Sequence, residues 1–319
     1  MEDVAIERET TDDVSLVVIL GYYEGSDFIS DQVKSIVKQK YKNIKLHIFD
    51  DSSRNPLVID DLDLTRDQMQ MLKIHNRQSN VGFSQNFLRA LRRKYHGVKY
   101  FAFSDQDDIW DEDKLAKAVE VIETFQSDIP VLYCSRTESV DSAGNNMNVL
   151  SPLYKKSPSF SNALVQSISG GNTMVFNRAA RDLIVTFSEG HKIVSHDWWC
   201  YQVISGAGGI VYYDSTSHVK YRQHEKNIVG SNVGVRAGIQ RAFAVFRGRF
   251  KLWNDVNLKA LECNQAYLTE VNQTRLLDFI EARRSMFFKR LFLAKRAGIH
   301  RQSFLGNCGL LFALLFNKL

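Results

Sequence analysis

The chain has 319 residues, 44% hydrophobic and 24% charged with only 4 Pro, the composition of a folded globular protein with room for one large domain or a domain plus an appendage. Its four cysteines (Cys134, Cys200, Cys263 and Cys308) are widely spaced with no C-x-x-C pair, which favours reduced thiols in a cytosolic chain over a disulfide framework or a zinc site. The net charge of +5 conceals an asymmetry, since residues 1–235 hold 26 Lys and Arg against 31 Asp and Glu, and residues 236–319 hold 15 against 5.

That asymmetry predicts two regions with different partners. The opening "MEDVAIERETTDD" is acidic where a secretory signal needs positive charge, so export is not expected. No run reaches the about 18 apolar residues of a membrane span. The nearest, "FLGNCGLLFALLF" at 304–316, is short and contains two glycines.

In chain order, "VSLVVIL" reads as a buried strand. Residues 27–41 then place Ile29, Val33, Ile36 and Val37 at helical spacing, with Ser26 as the expected N-cap. "IKLHIF" and "MQMLKIH" read as further strands, "FSQNFLRALRRKYH" as a helix, and "KYFAFS" as a strand. The second half continues with a helix at "KLAKAVEVIETF", a strand at "VLYCS", a turn at "DSAGNN" and a short strand in "GGNTMVFN". A helix follows from "HDWWCYQVI", then two strands, "GIVYYD" and "HVKYR". From Gly238 onward there is no proline and the pattern is helical, with Ile239, Phe243, Phe246 and Phe250 in a stripe.

Alternating strand and helix predicts an α/β fold with a parallel sheet, whose ligands bind at the carboxyl ends of the strands. Both acidic groups, Asp50-Asp51 and Asp105 to Asp108, fall at such ends. The second opens "FSDQDDIWDEDK", six carboxylates in twelve residues. Its last three, Asp111, Glu112 and Asp113, suit the start of the next helix. An EF-hand calcium loop needs Gly at the sixth position from Asp105, where this chain has Trp110. Asp105-Gln106-Asp107 at a strand end instead matches a hard divalent cation held by one or two carboxylates and substrate phosphate oxygens.

The ordered set "VSLVVILGYYEG", "LHIFDDSS", "NVGFSQN", "FAFSDQDDIW", "GGNTMVFN", "HDWWCYQVISGAGG" and "YRQHEKNIVG" resembles the bacterial family-2 glycosyltransferases of the GT-A fold. More narrowly, it is similar to the rhamnosyltransferases that build cell-surface polysaccharides. The likeness covers residues 14–230 and departs at Gly21-Tyr22-Tyr23-Glu24, where the family usually has Thr-Tyr-Asn.

The resemblance implies an inverting transferase using Mn²⁺ or Mg²⁺, with dTDP-β-L-rhamnose as favoured donor and a lipid-linked saccharide as acceptor. It implies that Asp50 or Asp51 holds the nucleobase and Asp105 the ribose. Asn80 and Gly82 would shape the donor loop, Asp107 with Asp108 nearby would bind the metal, and Asp197 would be the base. Arg222 and His224 would face the diphosphate or complete the metal shell. Each has a structural alternative: turn formation for Asp50 and Asp51, a helix-start role for Asp197, and core packing for the acceptor-side candidates Trp198 and Trp199. His196 and His218 are expected to be structural.

The resulting expectation is a GT-A domain over residues 1–235 and a basic, mostly helical region over 236–319 that meets the inner membrane surface or another copy of the chain. Such an enzyme would sit peripherally on the cytoplasmic face of the membrane, and no nucleic-acid motif is present. Two alternatives stand beside this reading: a UDP-sugar donor on the same fold, and a non-catalytic scaffold in a polysaccharide-assembly complex.

Overall fold

The computed structural model describes residues 14–225 and 249–319. The acidic N-terminal stretch and the stripe at Ile239, Phe243 and Phe246 lie outside the described residues, as does the expected domain boundary near 235.

The strands are β1 (Leu16–Tyr22), β2 (Ile44–Asp50), β3 (Leu72–Asn76), β4 (Tyr100–Ser104), β5 (Ile109–Trp110), β6 (Val131–Val140), β7 (Asn146–Leu150), β8 (Val175–Asn177) and β9 (Ile210–Arg222). Between them run α1 (Ile29–Val37), α2 (Arg66–Gln70), α3 (Phe83–Leu91), α4 (Lys114–Ile122), α5 (Phe160–Ala163), α6 (Arg178–Ser188) and α7 (His196–Gly206). Four helices follow: α8 (Arg249–Cys263), α9 (Glu270–Arg284), α10 (Phe287–Arg296) and α11 (Phe304–Leu315).

One sheet carries the strands in the order β3-β2-β1-β4-β8-β6-β9-β5, with β7 paired to β6. The parallel ladders β3-β2-β1-β4 and β6-β9 contain most of the paired residues, and the short β8 and β5 run antiparallel. Burial on both faces explains the unbroken apolar run of β1. Leu16, Val18 and Leu20 pack with Val33 and Ile36 of α1 and Leu115 of α4. Val17 and Ile19 turn to the opposite face, in one core with Phe87 of α3 and Trp199 of α7.

Several boundaries differ from the sequence expectation. Helix α1 is capped by Phe28 rather than Ser26, because a turn in which Phe28 N donates to Gly25 O precedes it. The two strands expected at "GIVYYD" and "HVKYR" form one strand, β9, whose register shifts against β6 absorb the polar residues between them. Helix α6 was not anticipated. It is capped by the Asn177 side chain, which accepts from Ala180 N at 3.0 Å, and it turns Ala180, Ile184 and Phe187 inward.

The C-terminal helices share a core with α5 and α7: Leu258, Leu261, Leu276, Phe279, Leu293 and Leu310 join the cluster that holds Phe160 and Trp199. The segment "ARRSMFFKRLFLAKR" is not one helix, since the chain turns at Ser285 and Met286 between α9 and α10. Among the described residues, no helix is long and apolar enough to cross a membrane, and all four cysteines are free.

Candidate active site

The parallel register brings Tyr22 beside Asp50 and Leu20 beside Ser104, so β1, β2 and β4 end on one edge. The acidic turn leaves β4 there. Asp105 is half-buried, and its carboxylate accepts no hydrogen bond among the described residues. Burial, then the charges of Asp108, Asp107 and Asp197, hold its pKa well above the carboxylate range. Asp107 Oδ2 lies 2.8 Å from His224 Nε2, and the His224 ring stacks on Phe28.

Asp108 takes a different place. It is fully buried, accepts from Asn172 Nδ2 at 2.5 Å and from Arg222 N at 3.3 Å, and is pushed up to about 7 by burial and then by the Asp107 charge. It braces the turn from behind.

Two protein cations sit among these carboxylates. Lys114, at the first residue of α4, is wholly buried, with Nζ 2.9 Å from Asn172 O and 3.0 Å from the centre of the Trp110 ring. Burial pulls its pKa well down, against the opposing pull of Asp108 and Asp105. Desolvating an ammonium costs several kcal/mol, which only nearby negative charge offsets. Arg222 ends β9 almost entirely enclosed. Its Nε donates to Asp107 O at 3.0 Å, Nη1 to Ser142 O at 2.7 Å and Nη2 to Asp31 Oδ2 at 2.8 Å, over the Phe28 ring. These donors serve the protein itself, so Arg222 fastens the acidic turn rather than reaching out of it.

The aspartates after β2 divide their work. Asp51 is buried and engaged, with Oδ1 accepting from Val81 N at 2.9 Å and Oδ2 from Gly82 N at 2.8 Å, while its carbonyl accepts from Asn80 Nδ2 at 3.1 Å. It therefore fixes the loop that contains Asn80 and Gly82, where Gly82 turns at φ +81. Asp50 accepts from Ser53 N through Oδ1, and its buried Oδ2 has no partner. An unpaired buried acceptor of this kind costs about 1–3 kcal/mol.

Asp197 lies in the first turn of α7 behind the N-cap Ser195, and its Oδ1 accepts from Trp198 N at 2.7 Å. Burial pushes it up to about 6. Its charge adds to the rise at Asp105. Trp198 and Trp199 are core residues, with indole N–H groups donating to Ala163 O at 2.7 Å and Ser188 Oγ at 2.9 Å. Such burial leaves neither ring a face for a sugar. His196 is buried against Phe87, with both ring nitrogens unpartnered and a pKa lowered to about 3 by burial. His218 lies near Asp113 and Asp214, away from the acidic turn.

The residues that sequence reasoning missed are Lys114, Asn172, Asp31 and Gln106. "GGNTMVFN" and "DQD" stood out as motifs, but which side chain in them turns inward depends on strands that meet only in the fold.

Among the described residues, no three Asp, Glu, His or Cys side chains converge on one point. Asp107 and His224 nonetheless present one carboxylate oxygen and one imidazole nitrogen side by side. That pair fits a divalent cation which takes its remaining ligands from water and a diphosphate.

A mostly parallel sheet with an acidic turn at its strand ends and helices on both faces defines a glycosyltransferase of the GT-A type. Residues 17–200 match the family model for Glycosyl transferase family 2, and the chain belongs to that family. Among curated relatives, the dTDP-rhamnosyl transferase RfbG of Shigella flexneri is 28% identical over 234 residues, covering 69% of this chain and 76% of its own. WfgD of Escherichia coli, a UDP-Glc:alpha-D-GlcNAc-diphosphoundecaprenol beta-1,3-glucosyltransferase, is 26% identical over 122 residues, 38% of this chain and 46% of its own. Residues 1–349 of S. aureus TarS, solved with UDP-GlcNAc, superpose with a TM-score of 0.53 at 14% identity over 89% of each chain. GalNAc-T7, solved with UDP, GalNAc and Mn²⁺, gives 0.53 at 11% identity over 92% of this chain and 56% of its own. These two likenesses are of fold alone.

Proposed function

We propose that the protein is an inverting, metal-dependent glycosyltransferase moving L-rhamnose from dTDP-β-L-rhamnose to a lipid-linked saccharide during synthesis of bacterial cell-surface polysaccharide. The observation that carries this reading is the acidic turn itself. Asp105, with no hydrogen bond to its carboxylate, and the Asp107–His224 pair lie at the strand ends where Asp50 presents an unpaired oxygen. The likeness to RfbG supports the donor, and the acceptor printed for WfgD supports a lipid-diphosphate carrier.

In this reading Asp50 Oδ2 accepts the ring N–H of the nucleobase and Asp105 holds the ribose. Asn80 and Gly82, held by Asp51, shape the loop along the donor. Asp107 and His224 hold Mn²⁺ or Mg²⁺, which when bound neutralises charge on the diphosphate. Arg222 keeps the acidic turn in place, and with Lys114 it offsets the carboxylate charge that would otherwise repel the donor. Asp197 accepts the proton of the acceptor hydroxyl, and its pKa near 6 keeps it ionised at neutral pH yet basic enough to take a proton. One base and one diphosphate leaving group imply direct displacement with inversion, so the product is an α-L-rhamnoside. The enzyme works peripherally at the cytoplasmic face of the membrane, where a lipid-linked acceptor is found.

A UDP-sugar donor is a second reading, because uracil offers Asp50 the same ring N–H as thymine. The intact acidic turn and Asp197 favour turnover over a scaffold role. The test is incubation with dTDP-β-L-rhamnose and prenyl-diphosphate-linked saccharides, with the new linkage read by NMR. An α-rhamnosyl product supports the proposal. A β-linked product, or transfer from UDP-sugars only, contradicts it.

A further inference from the structure

Among the described residues, the most exposed large apolar side chains gather on the last two helices and at their ends. Met286, Phe288, Phe304 and Leu305 are 86%, 85%, 81% and 81% exposed, with Phe292, Leu311, Leu315 and Phe316 also in solvent. Helices α10 and α11 form an antiparallel hairpin, because Arg290 Nη1 near the start of α10 donates to the carbonyl of Leu314 near the end of α11 at 2.8 Å.

On α10, Leu293, Ala294 and Ala297 turn inward while Phe288, Phe292 and Lys295 lie on the opposite side. Helix α11 buries Leu310, Ala313 and Leu314. It carries no charged residue at all, so its outer side is as apolar as its inner one. A helix apolar all round belongs in a core or in lipid, and a solvated patch of this kind marks a contact surface.

Charge decides the occupant. From Arg284 to the end of the chain there are seven Lys and Arg and no Asp or Glu. Three of the seven are paired with acids of α8 and α9, Arg284 with Glu262, Lys289 with Glu281 and Arg296 with Asp278, and a second copy would bring the remaining positive excess to its own interface. An anionic bilayer brings the opposite charge and an apolar interior together. At twelve residues, α11 is about 18 Å long, too short to span a bilayer and suited to lying in its surface.

We propose that the outer face of α10 and α11 is a docking surface for an anionic lipid bilayer, with Phe288, Phe292, Phe304 and Leu305 entering the headgroup boundary. The geometry also fixes this face relative to the active site. Ser161 Oγ donates to Ala297 O at 2.7 Å and Asn162 Nδ2 to His300 O at 2.8 Å, so the hairpin is bolted to α5. The carbonyl of Ala163 on α5 receives the indole N–H of Trp198, the residue after Asp197. Only the significance of that proximity for a lipid-linked acceptor rests on the rhamnosyl-transfer reading. The surface itself rests on exposure and charge.

The test is co-sedimentation of the full chain with vesicles of phosphatidylcholine alone, or with phosphatidylglycerol added. The chain should sediment with the anionic vesicles only, and less as salt is raised. The double variant Phe288→Asp, Phe304→Asp should lose about tenfold or more of that binding, since both rings are replaced by charge. Its thermal transition and nucleotide-sugar binding should not change. Unaltered sedimentation of the variant would overturn the proposal. So would absence of the wild-type chain from both pellets, or a wild-type dimer dispersed by Phe304→Asp. Failure of the enzymatic reading looks different: vesicle binding persists and nucleotide-sugars do not bind.

Discussion

The side-chain amide of Gln106 grips the backbone of Tyr23 at two points, Oε1 accepting from Tyr23 N–H at 2.8 Å and Nε2 donating to Tyr23 O at 3.1 Å. The middle residue of D-Q-D thereby ties the acidic turn to the loop after β1, where the chain departs from the usual family pattern. A Cβ on Gly25 would come within 2.2 Å of the same amide, so this approach needs glycine. The loop is held on its other side as well, with Glu24 N donating to Ser53 Oγ and Arg54 N to Glu24 Oε1. An unusual sequence has thus been fitted to the site rather than released from it.

Gln106→Ala frees that loop without touching any carboxylate. The expected result is a donor KM raised about tenfold with kcat little changed, the pattern of lost uniform binding. Steady-state kinetics over a donor series decides it; an equal fall in kcat and kcat/KM would show that the clamp acts in the transition state instead.

Asp50 and Asp51 should part company. Asp51→Ala removes the acceptor of two backbone N–H groups and should cost about 1–3 kcal/mol of stability. Asp50→Ala removes the acceptor of one backbone N–H, that of Ser53, together with an unpaired buried oxygen, so its stability loss should be the smaller while affinity for the nucleotide falls. Urea unfolding beside calorimetric nucleotide binding separates them, and a stability loss at Asp50 as large as at Asp51 would deny Asp50 its outward role.

Asp197 sets a pH dependence. As pH falls through about 6, its carboxylate takes up a proton and can accept no other, so kcat/KM should fall on the acid side and level off above. Asp197→Asn should remove that limb, lower kcat by about 10²–10⁴-fold and leave donor binding intact. Because burial raises this pKa in the folded state, the ionised carboxylate is a stability cost that develops as pH rises from its unfolded value to about 6. The Asn variant should therefore melt higher than the wild type at neutral pH, and the gain should vanish in acid. Loss of donor binding together with turnover would mark Asp197 as a structural residue.

Much of this site was legible in the sequence because it sits on local signals. Asp105 and Asp107 follow an apolar strand directly, and Asp50-Asp51 does the same, so strand ends and carboxylates could be read together. The partners could not be read this way. Asn172 reaches Asp108 across 64 residues and Arg222 reaches Asp31 across 191, contacts that no periodicity encodes. Nothing beside Lys114 in the sequence marks it as buried, and its burial follows from Trp110 and Asn172 closing over it. Trp198 and Trp199 matched a sugar platform in composition, but helix α7 turns both into the core. The break at Ser285 and Met286 between α9 and α10 carries no proline or glycine, so the helical pattern of the C-terminal region runs straight through it.

Lys114→Met should leave Asp108 and Asp105 without their buried counter-charge. A loss of about 1–3 kcal/mol is expected, because the buried Asn172 carbonyl also loses its donor. Lys114→Arg should not restore it, since the Trp110 ring centre lies only 3.0 Å from Nζ. Thermal or urea unfolding of the two variants gives the answer, and wild-type stability in Lys114→Met would show that the ammonium contributes no net stability.

The most direct measurement is calorimetric titration of the folded chain with dTDP-rhamnose, UDP-glucose, UDP-N-acetylglucosamine and UDP-galactose, in Mn²⁺ or Mg²⁺ and again in EDTA, with Asp107→Asn alongside. The account predicts binding selective for dTDP-rhamnose that disappears with EDTA and with Asp107→Asn, while the variant's thermal transition stays in place. Binding that ignores both EDTA and the Asp107 substitution, or no binding of any nucleotide-sugar, would contradict it.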